Sequence, residues 1–182
     1  PYPTPIPGGP LLILVTGGSQ GARIFSDVMP QAMALLTNQE RSRVRLAQQC
    51  RAEAIEATAA AYDRLGMMAE LTPFFGDIPQ RVADAQLVIA RAGASSVAEL
   101  TAAGRPAILV PYPYATDDHQ TVNAEAVASS GGAWLMPQEG FTGPALAQRI
   151  RHLLDNPALL AEAAHCAHAL GGPDAAERLA GV

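Results

Sequence analysis

Residues 11–23 read LLILVTGGSQGAR. A short apolar run, Leu11 to Val15, enters a glycine-rich turn, and the turn opens an Ala-rich stretch with helical spacing over 22–36. Strand, tight turn and helix in direct succession make the first part of a βαβ unit. Glycines at 17, 18 and 21 let the backbone take positive φ and approach a ligand closely. The start of the helix adds amide N–H groups without intrahelical acceptors and a partial positive charge. The combination predicts a phosphate seat built by Gly17, Gly18, Ser19, Gln20 and Gly21. The simpler alternative is a tight turn that Ser19 caps.

Outward from this unit the pattern repeats. Apolar runs at 44–48, 67–74, 87–90, 107–111 and 133–137 read as buried strands. Stretches with helical spacing fall at 51–65, 94–103, 120–130, 145–154, 157–169 and 174–180. Gly104, Gly131, Gly132, Gly171 and Gly172 follow helical stretches, where C-cap glycines belong. The alternation predicts an α/β fold: a Rossmann-like parallel six-stranded sheet with helices on both faces. In such sheets ligands sit at the carboxyl ends of the strands, beside helix N-termini. The opening PYPTPIPGGP holds five prolines and two glycines, so residues 1–10 are expected to be an extended interdomain linker. Residues 11–182 are expected to form one domain, and a chain that opens on a linker is expected to continue a longer protein.

Composition narrows the function. The 182 residues are 49% hydrophobic and 16% charged, with 12 basic side chains and a net charge of −5. That is not the basic footprint nucleic acid requires, nor a polybasic patch for anionic lipid. No apolar run approaches the roughly 18 residues of a spanning helix, and no signal peptide is evident. Cys50 and Cys166 form no CxxC pair, so a cytoplasmic, reduced, disulfide-free protein is expected.

Three known motifs compete for the first turn. A P-loop would end in Gly-Lys-Ser/Thr, which is absent. A dinucleotide fingerprint would need GxGxxG and an acid closing the second strand, but that strand ends in Gln48-Gln49. Residues 17–21 formally match GxSxG, and Ser19, Asp117 or Asp118, and His152 would even give a hydrolase triad order. The oxyanion donor from an earlier loop has no source here, because only a proline-rich segment and one strand precede Ser19.

Two further junctions carry polar residues. Phe74-Phe75-Gly76-Asp77 closes the third strand and starts a short helix. Its aromatics either sandwich a planar base or pack in the core, with Asp77 as an N-cap. After 87–90 comes Arg91-Ala92-Gly93-Ala94-Ser95-Ser96, a second donor-rich helix start. Ser96 and Glu99 fit a capping box; alternatively Glu99 accepts both hydroxyls of a ribose. Two such helix starts on neighbouring strands favour a diphosphate held without metal. In 111–125, PYPYATDDHQTVNAE, an Asp117 or Asp118 cap would begin a helix that shows His119, Gln120 and Asn123 on one face, suited to a hydroxyl-rich ligand. Asp117, Asp118 and His119 are consecutive rather than spaced as a cage, so no metal is expected. His165, His168, Cys50, Cys166, Trp134, Met67 and Met68 are expected to be structural.

GGSQGAR, FFGD, RAGASSVAEL followed by GRPAILVPYP, and DDHQTVNA occur here in one order. That order resembles the C-terminal half of the MurG family of peptidoglycan N-acetylglucosaminyltransferases, and the match runs from about Leu11 to the end, including the closing GGPDAAERLAGV. The resemblance implies a GT-B fold of two Rossmann-like domains around a cleft. It implies inverting transfer of N-acetylglucosamine from UDP-GlcNAc to the MurNAc 4-hydroxyl of undecaprenyl-linked lipid I, giving lipid II. Carried over by motif, Gly17 to Gly21 would face the diphosphate, and Phe75 would offer its backbone to the uracil with Arg91 near its edge. Ser95 and Ser96 would donate to the α-phosphate, with Gly93 and Ala94 beside them in the binding site, and Glu99 would hold the ribose. Gln120, flanked by His119 and Asn123, would read the sugar. The acceptor domain, the general base and the membrane-facing apolar patch of the family have no counterpart in these residues. The chain is therefore expected to supply donor binding only, with no catalytic residue, metal or cofactor of its own, and to be inactive alone. The whole enzyme is expected to be peripheral on the cytoplasmic face of the bacterial inner membrane. Another GT-B transferase using a UDP or TDP sugar, and a non-catalytic nucleotide-sugar-binding module, are the remaining alternatives.

Overall fold

The computed structural model describes residues 1–18 and 23–172. Six strands form one sheet: β1 Leu11–Thr16, β2 Val44–Gln49, β3 Ala69–Thr72, β4 Leu87–Ala90, β5 Ala107–Leu109 and β6 Ala133–Leu135. Every pairing is parallel, and the spatial order is β3-β2-β1-β4-β5-β6. The helices are α1 Arg23–Leu35, α2 Asn38–Arg43, α3 Ile55–Arg64, α4 Ile78–Asp84, α5 Ala94–Ala103, α6 His119–Ser129, α7 Gly143–Asp155 and α8 Pro157–Leu170. Strand alternation sorts the interior into two cores. Ile13, Val15, Leu87, Ile89 and Ile108 pack with α1, α3 and α7 on one face. Leu14, Val88, Ala90, Ala107 and Leu109 pack with α4, α5 and α6 on the other. Both faces are covered along β4 and β5, which read as continuous apolar runs, whereas β2 and β3 turn Arg45 and Glu70 to solvent.

The expected parallel sheet is present, with shorter third, fifth and sixth strands. Two details differ. Met67 is buried but Met68 is 94% exposed, because the turn at Gly66 points the pair to opposite sides. The helix α2 was not anticipated, although its signal is in the sequence: Thr37 and Glu40 form a reciprocal capping box. The Glu40 carboxylate also accepts from Arg151 Nε at 2.8 Å, tying α2 to α7. The Arg151 guanidinium, then the Thr37 amide, hold the Glu40 carboxyl below the usual range. A carboxyl depressed in the folded state stabilises above its unfolded pKa and loses that contribution as pH falls through the folded value. Thermal stability should thus decline from pH 5 to pH 3 less steeply in Glu40→Gln than in the wild type; parallel declines would remove this role. The predicted helix at 174–180 lies outside the described residues.

Residues 1–10 contain no helix or strand, yet they are fastened to the amino-terminal edge of the sheet. Tyr2 donates its hydroxyl to the Gln86 carbonyl at 2.7 Å, and Gln86 Nε2 donates to the Pro3 carbonyl at 3.0 Å. Burial of the Tyr2 phenol pushes its pKa well up. The buried Arg105 side chain donates to the carbonyls of Val82, Ala83, Ala103, Gly104 and Pro1. It thereby closes the C-terminal ends of α4 and α5 and holds the first residue, with the Tyr2 ring 5.6 Å away.

Candidate functional site

The strand order reverses between β1 and β4, which run side by side with Thr16 opposite Ala90. The carboxyl ends of these two strands therefore deliver Gly17-Gly18 and Arg91-Ala92-Gly93 to one crevice, the position where doubly wound sheets bind ligands. Gly18 takes φ +75, a conformation that favours glycine. Ser19, Gln20 and Gly21 lie outside the described residues.

On the β4 side, α5 starts at Ala94 with Gly93 as its N-cap and no side-chain cap. This corrects the expected capping box. Ser96 sits at the third helical position, so it cannot be the cap, and Glu99 lies exposed on the second turn. Ser95 is exposed as well, with Glu99 one turn further along the same face. The first-turn amides of α5 thus have neither an intrahelical acceptor nor a capping side chain. No acidic residue stands in this first turn, so its partial positive charge is uncompensated there.

The third junction knits this edge together. Gln120 Oε1 accepts from the amides of Ala92 at 3.2 Å and Tyr112 at 2.9 Å, bridging the ends of β4 and β5. Asn123 Nδ2 donates to the Ala92 carbonyl at 3.0 Å. Their shared helix face is as expected, but its first task is to fix the Ala92–Gly93 backbone. His119 does not join them: its side chain is 73% exposed and stands 3.9 Å from the Asp117 carboxylate. Asp117 and Asp118 both have positive φ, at 52° and 54°. Asp118 occupies the N-cap position of α6, yet its carboxylate accepts the Thr121 hydroxyl instead of a backbone amide. Arg91 donates to the carbonyls of Val110 and Pro111 and lies between the rings of Phe25 and Tyr112, at 5.7 and 5.3 Å.

At the end of β3 the two phenylalanines separate. Phe75 is buried in the second core, with the Arg81 guanidinium 4.3 Å from its ring centroid, whereas Phe74 is 76% exposed. A two-ring sandwich around a base is excluded, because the Phe75 ring is used inside. Asp77 makes no capping bond; its carboxylate accepts from Arg81, which also grips Glu70 with both terminal nitrogens. The Arg81 hydrogen bond holds the Asp77 carboxyl below its ordinary range.

Sequence reading missed Gln49. From the last position of β2 its Oε1 accepts from Thr16 Oγ1 at 3.0 Å and the Gly17 amide at 3.1 Å. Its Nε2 donates to the carbonyls of Gly18 at 3.0 Å and Pro73 at 3.2 Å. The Gly17 amide is accordingly committed to Gln49 rather than available to a phosphate. In the sequence Gln49 signals only that the second strand lacks a dinucleotide-binding acid.

The described members of the hydrolase triad do not come together with the β1 turn. His152 is near the end of α7, where Arg43 reaches the Leu154 carbonyl from the last residue of α2, just before β2. That is the amino-terminal edge of the sheet, opposite the turn that follows β1. Among the described residues no three His, Cys, Asp or Glu side chains converge as metal ligands, and no helix is long and apolar enough to cross a membrane. Both cysteines are free thiols.

Switch-point crevice, glycine turn and uncapped helix start define a doubly wound α/β domain of the type that seats phosphorylated ligands. The chain belongs to the glycosyltransferase family 28 C-terminal domain family, whose model matches residues 12–179. A UDP-N-acetylglucosamine–N-acetylmuramyl-(pentapeptide) pyrophosphoryl-undecaprenol N-acetylglucosamine transferase of Rhodospirillum centenum is 59% identical over 180 residues, 99% of this chain and 48% of the relative. The protein of the same name from Paramagnetospirillum magneticum is 58% identical over 172 residues, 94% of this chain and 46% of the relative. The crystal structure of Acinetobacter baumannii MurG superposes with a TM-score of 0.84 at 34% identity, over 97% of this chain and 52% of that one. The chain thus spans about half the length of the relatives it matches.

Proposed function

We propose that residues 11–182 form the donor-binding domain, and 1–10 the interdomain linker, of an inverting N-acetylglucosaminyltransferase that converts undecaprenyl-linked lipid I to lipid II in peptidoglycan synthesis. The observation that carries this reading is the β1–β4 pairing, which sets the glycine turn beside the uncapped start of α5. The first-turn amides of α5, with the Ser95 and Ser96 hydroxyls, bind the diphosphate of UDP-GlcNAc. Gly18 faces it from the β1 side, and Ser19, Gln20 and Gly21 are assigned to the same ligand by their motif. Glu99 accepts the ribose hydroxyls. The uracil lies against the Phe75 backbone near Arg91. Gln120 Nε2, Asn123 Oδ1 and His119 are the remaining polar atoms for the sugar.

Bond cleavage at the anomeric carbon leaves UDP with extra negative charge on the β-phosphate. Preset amides and a helix dipole stabilise that charge more than they stabilise the bound donor, which lowers the barrier. The base that takes the 4-hydroxyl proton of MurNAc, the lipid I site and the contact with the cytoplasmic face of the inner membrane are assigned to the half of the relatives that this chain does not span. The chain alone should bind UDP-GlcNAc weakly and transfer nothing.

Titration calorimetry tests the reading. UDP-GlcNAc should bind, and an ADP-sugar and NAD should not; equal affinity for all three removes the uridine claim. Glu99→Ala should weaken UDP about tenfold, the loss of a charge-assisted hydrogen bond, while pyrophosphate is unchanged. Equal losses for both would reduce Glu99 to a surface carboxylate.

A further inference from the structure

Gln49 makes four hydrogen bonds that join two separate loops, and no motif assigns it a role. Its oxygen takes the Thr16 hydroxyl and the Gly17 amide, and its nitrogen takes the carbonyls of Gly18 and Pro73. Three of these partners are successive residues at the glycine turn. The fourth lies in the segment that continues into Phe74 and Phe75. Only a primary amide serves here, since both a donor and an acceptor are required on one planar head. A carboxylate would lack the donors and would add negative charge beside a phosphate seat. The parallel register makes the reach possible: β2 lies between β1 and β3, so a side chain at its last position touches the loop after each neighbour.

We infer that Gln49 is a positioning residue for the donor: it holds the glycine turn in its ligand-ready shape and locks the diphosphate side of the crevice to the base side. This role rests on the donor-binding reading above. Gly18 at φ +75 makes the turn conformationally permissive, and a permissive turn without a clamp must be ordered by the ligand itself. Gln49 removes that ordering cost before binding. It touches no reacting atom in this role and acts through the backbone of Gly17, Gly18 and Pro73.

The test pairs Gln49→Met, similar in length and without hydrogen bonds, with Gln49→Glu and Thr16→Val. Affinities for UDP, pyrophosphate and uridine are measured by calorimetry, and amide exchange is followed at Gly17, Gly18 and Leu14. Gln49→Met should weaken UDP and pyrophosphate at least tenfold and uridine less than threefold. Exchange at Gly17 should rise at least tenfold while Leu14, inside β1, keeps its protection. Gln49→Glu should be worse than Gln49→Met for both phosphate ligands. Thr16→Val removes one of the four bonds, together with the long contact from the Gly18 amide to the Thr16 hydroxyl at 3.5 Å, and should show the same ordering at smaller size; it decides the matter if Gln49→Met does not fold. Equal losses for all three ligands, or unchanged UDP affinity, would overturn the role. A wild-type chain that takes no UDP at all would instead refute the donor reading and this role with it.

Discussion

Ser95→Asp should abolish UDP binding and leave the protein as stable as before, or slightly more so. Ser95 stands exposed at the second position of α5, in a first turn with no acidic residue and no capping side chain. A carboxylate there meets the positive end of the helix and stabilises it by about 0.3–1 kcal/mol. The same carboxylate would sit where the diphosphate must sit. Two like charges about 4 Å apart repel by roughly 4 kcal/mol in a partly screened crevice, so the expected loss of UDP affinity is at least about 100-fold. Calorimetry and a melting curve on one sample separate the two effects. Lost affinity together with a lowered melting temperature would point to damage rather than to electrostatic exclusion. Retained affinity would mean that the phosphates lie elsewhere.

Arg105→Met should destabilise the domain strongly. The guanidinium is buried and donates to five different carbonyls, two of them at the end of α4 and one on the first residue of the chain. Methionine fills comparable space but leaves those carbonyls without donors, each a cost of about 1 kcal/mol or more. The expected loss is about 3–4 kcal/mol, a drop on the order of 10 °C in melting temperature for a domain of this size. Lysine restores the charge but not the fork of donors, so Arg105→Lys should recover only part of the loss. Exchange protection of the Thr4 amide, which donates to the Tyr2 carbonyl, should fall with the arginine. A change of less than 1 kcal/mol would show that water replaces the guanidinium freely.

Where local chemistry decides, the sequence was readable. The apolar run at 87–90 and the helix at 94–103 appear with those same bounds, because glycine closes the helix at Gly104 with φ +64. The two-sided burial of β4 and β5 follows from runs without polar alternation. The failures are of another kind. Phe74 and Phe75, like Met67 and Met68, are identical neighbours in the sequence, and only the path of the turn decides which one enters the core. Ser96 and Glu99 satisfy a capping pattern that the chain does not use, since Gly93 caps the helix three residues earlier than that box requires. Asp77 was available as a cap but is held by Arg81, a partner supplied by the same short helix. Gln49 and Gln120 brace the crevice through contacts 8 to 33 residues away, which no local pattern encodes. The place where the glycine turn and the start of α5 meet was therefore legible in the strand–turn–helix pattern, whereas the side chains that brace it were not.

The central claim is that one diphosphate is held between the ends of β1 and β4. Backbone amide shifts recorded while UDP is added to the labelled chain test it most directly. Gly18 and the amides of Ala94, Ser95 and Ser96 should move together and saturate at one common concentration, with Glu99 following only when the ribose is present. Shifts confined to one strand end, or two sets that saturate at different concentrations, would contradict a single ligand gripped from both sides.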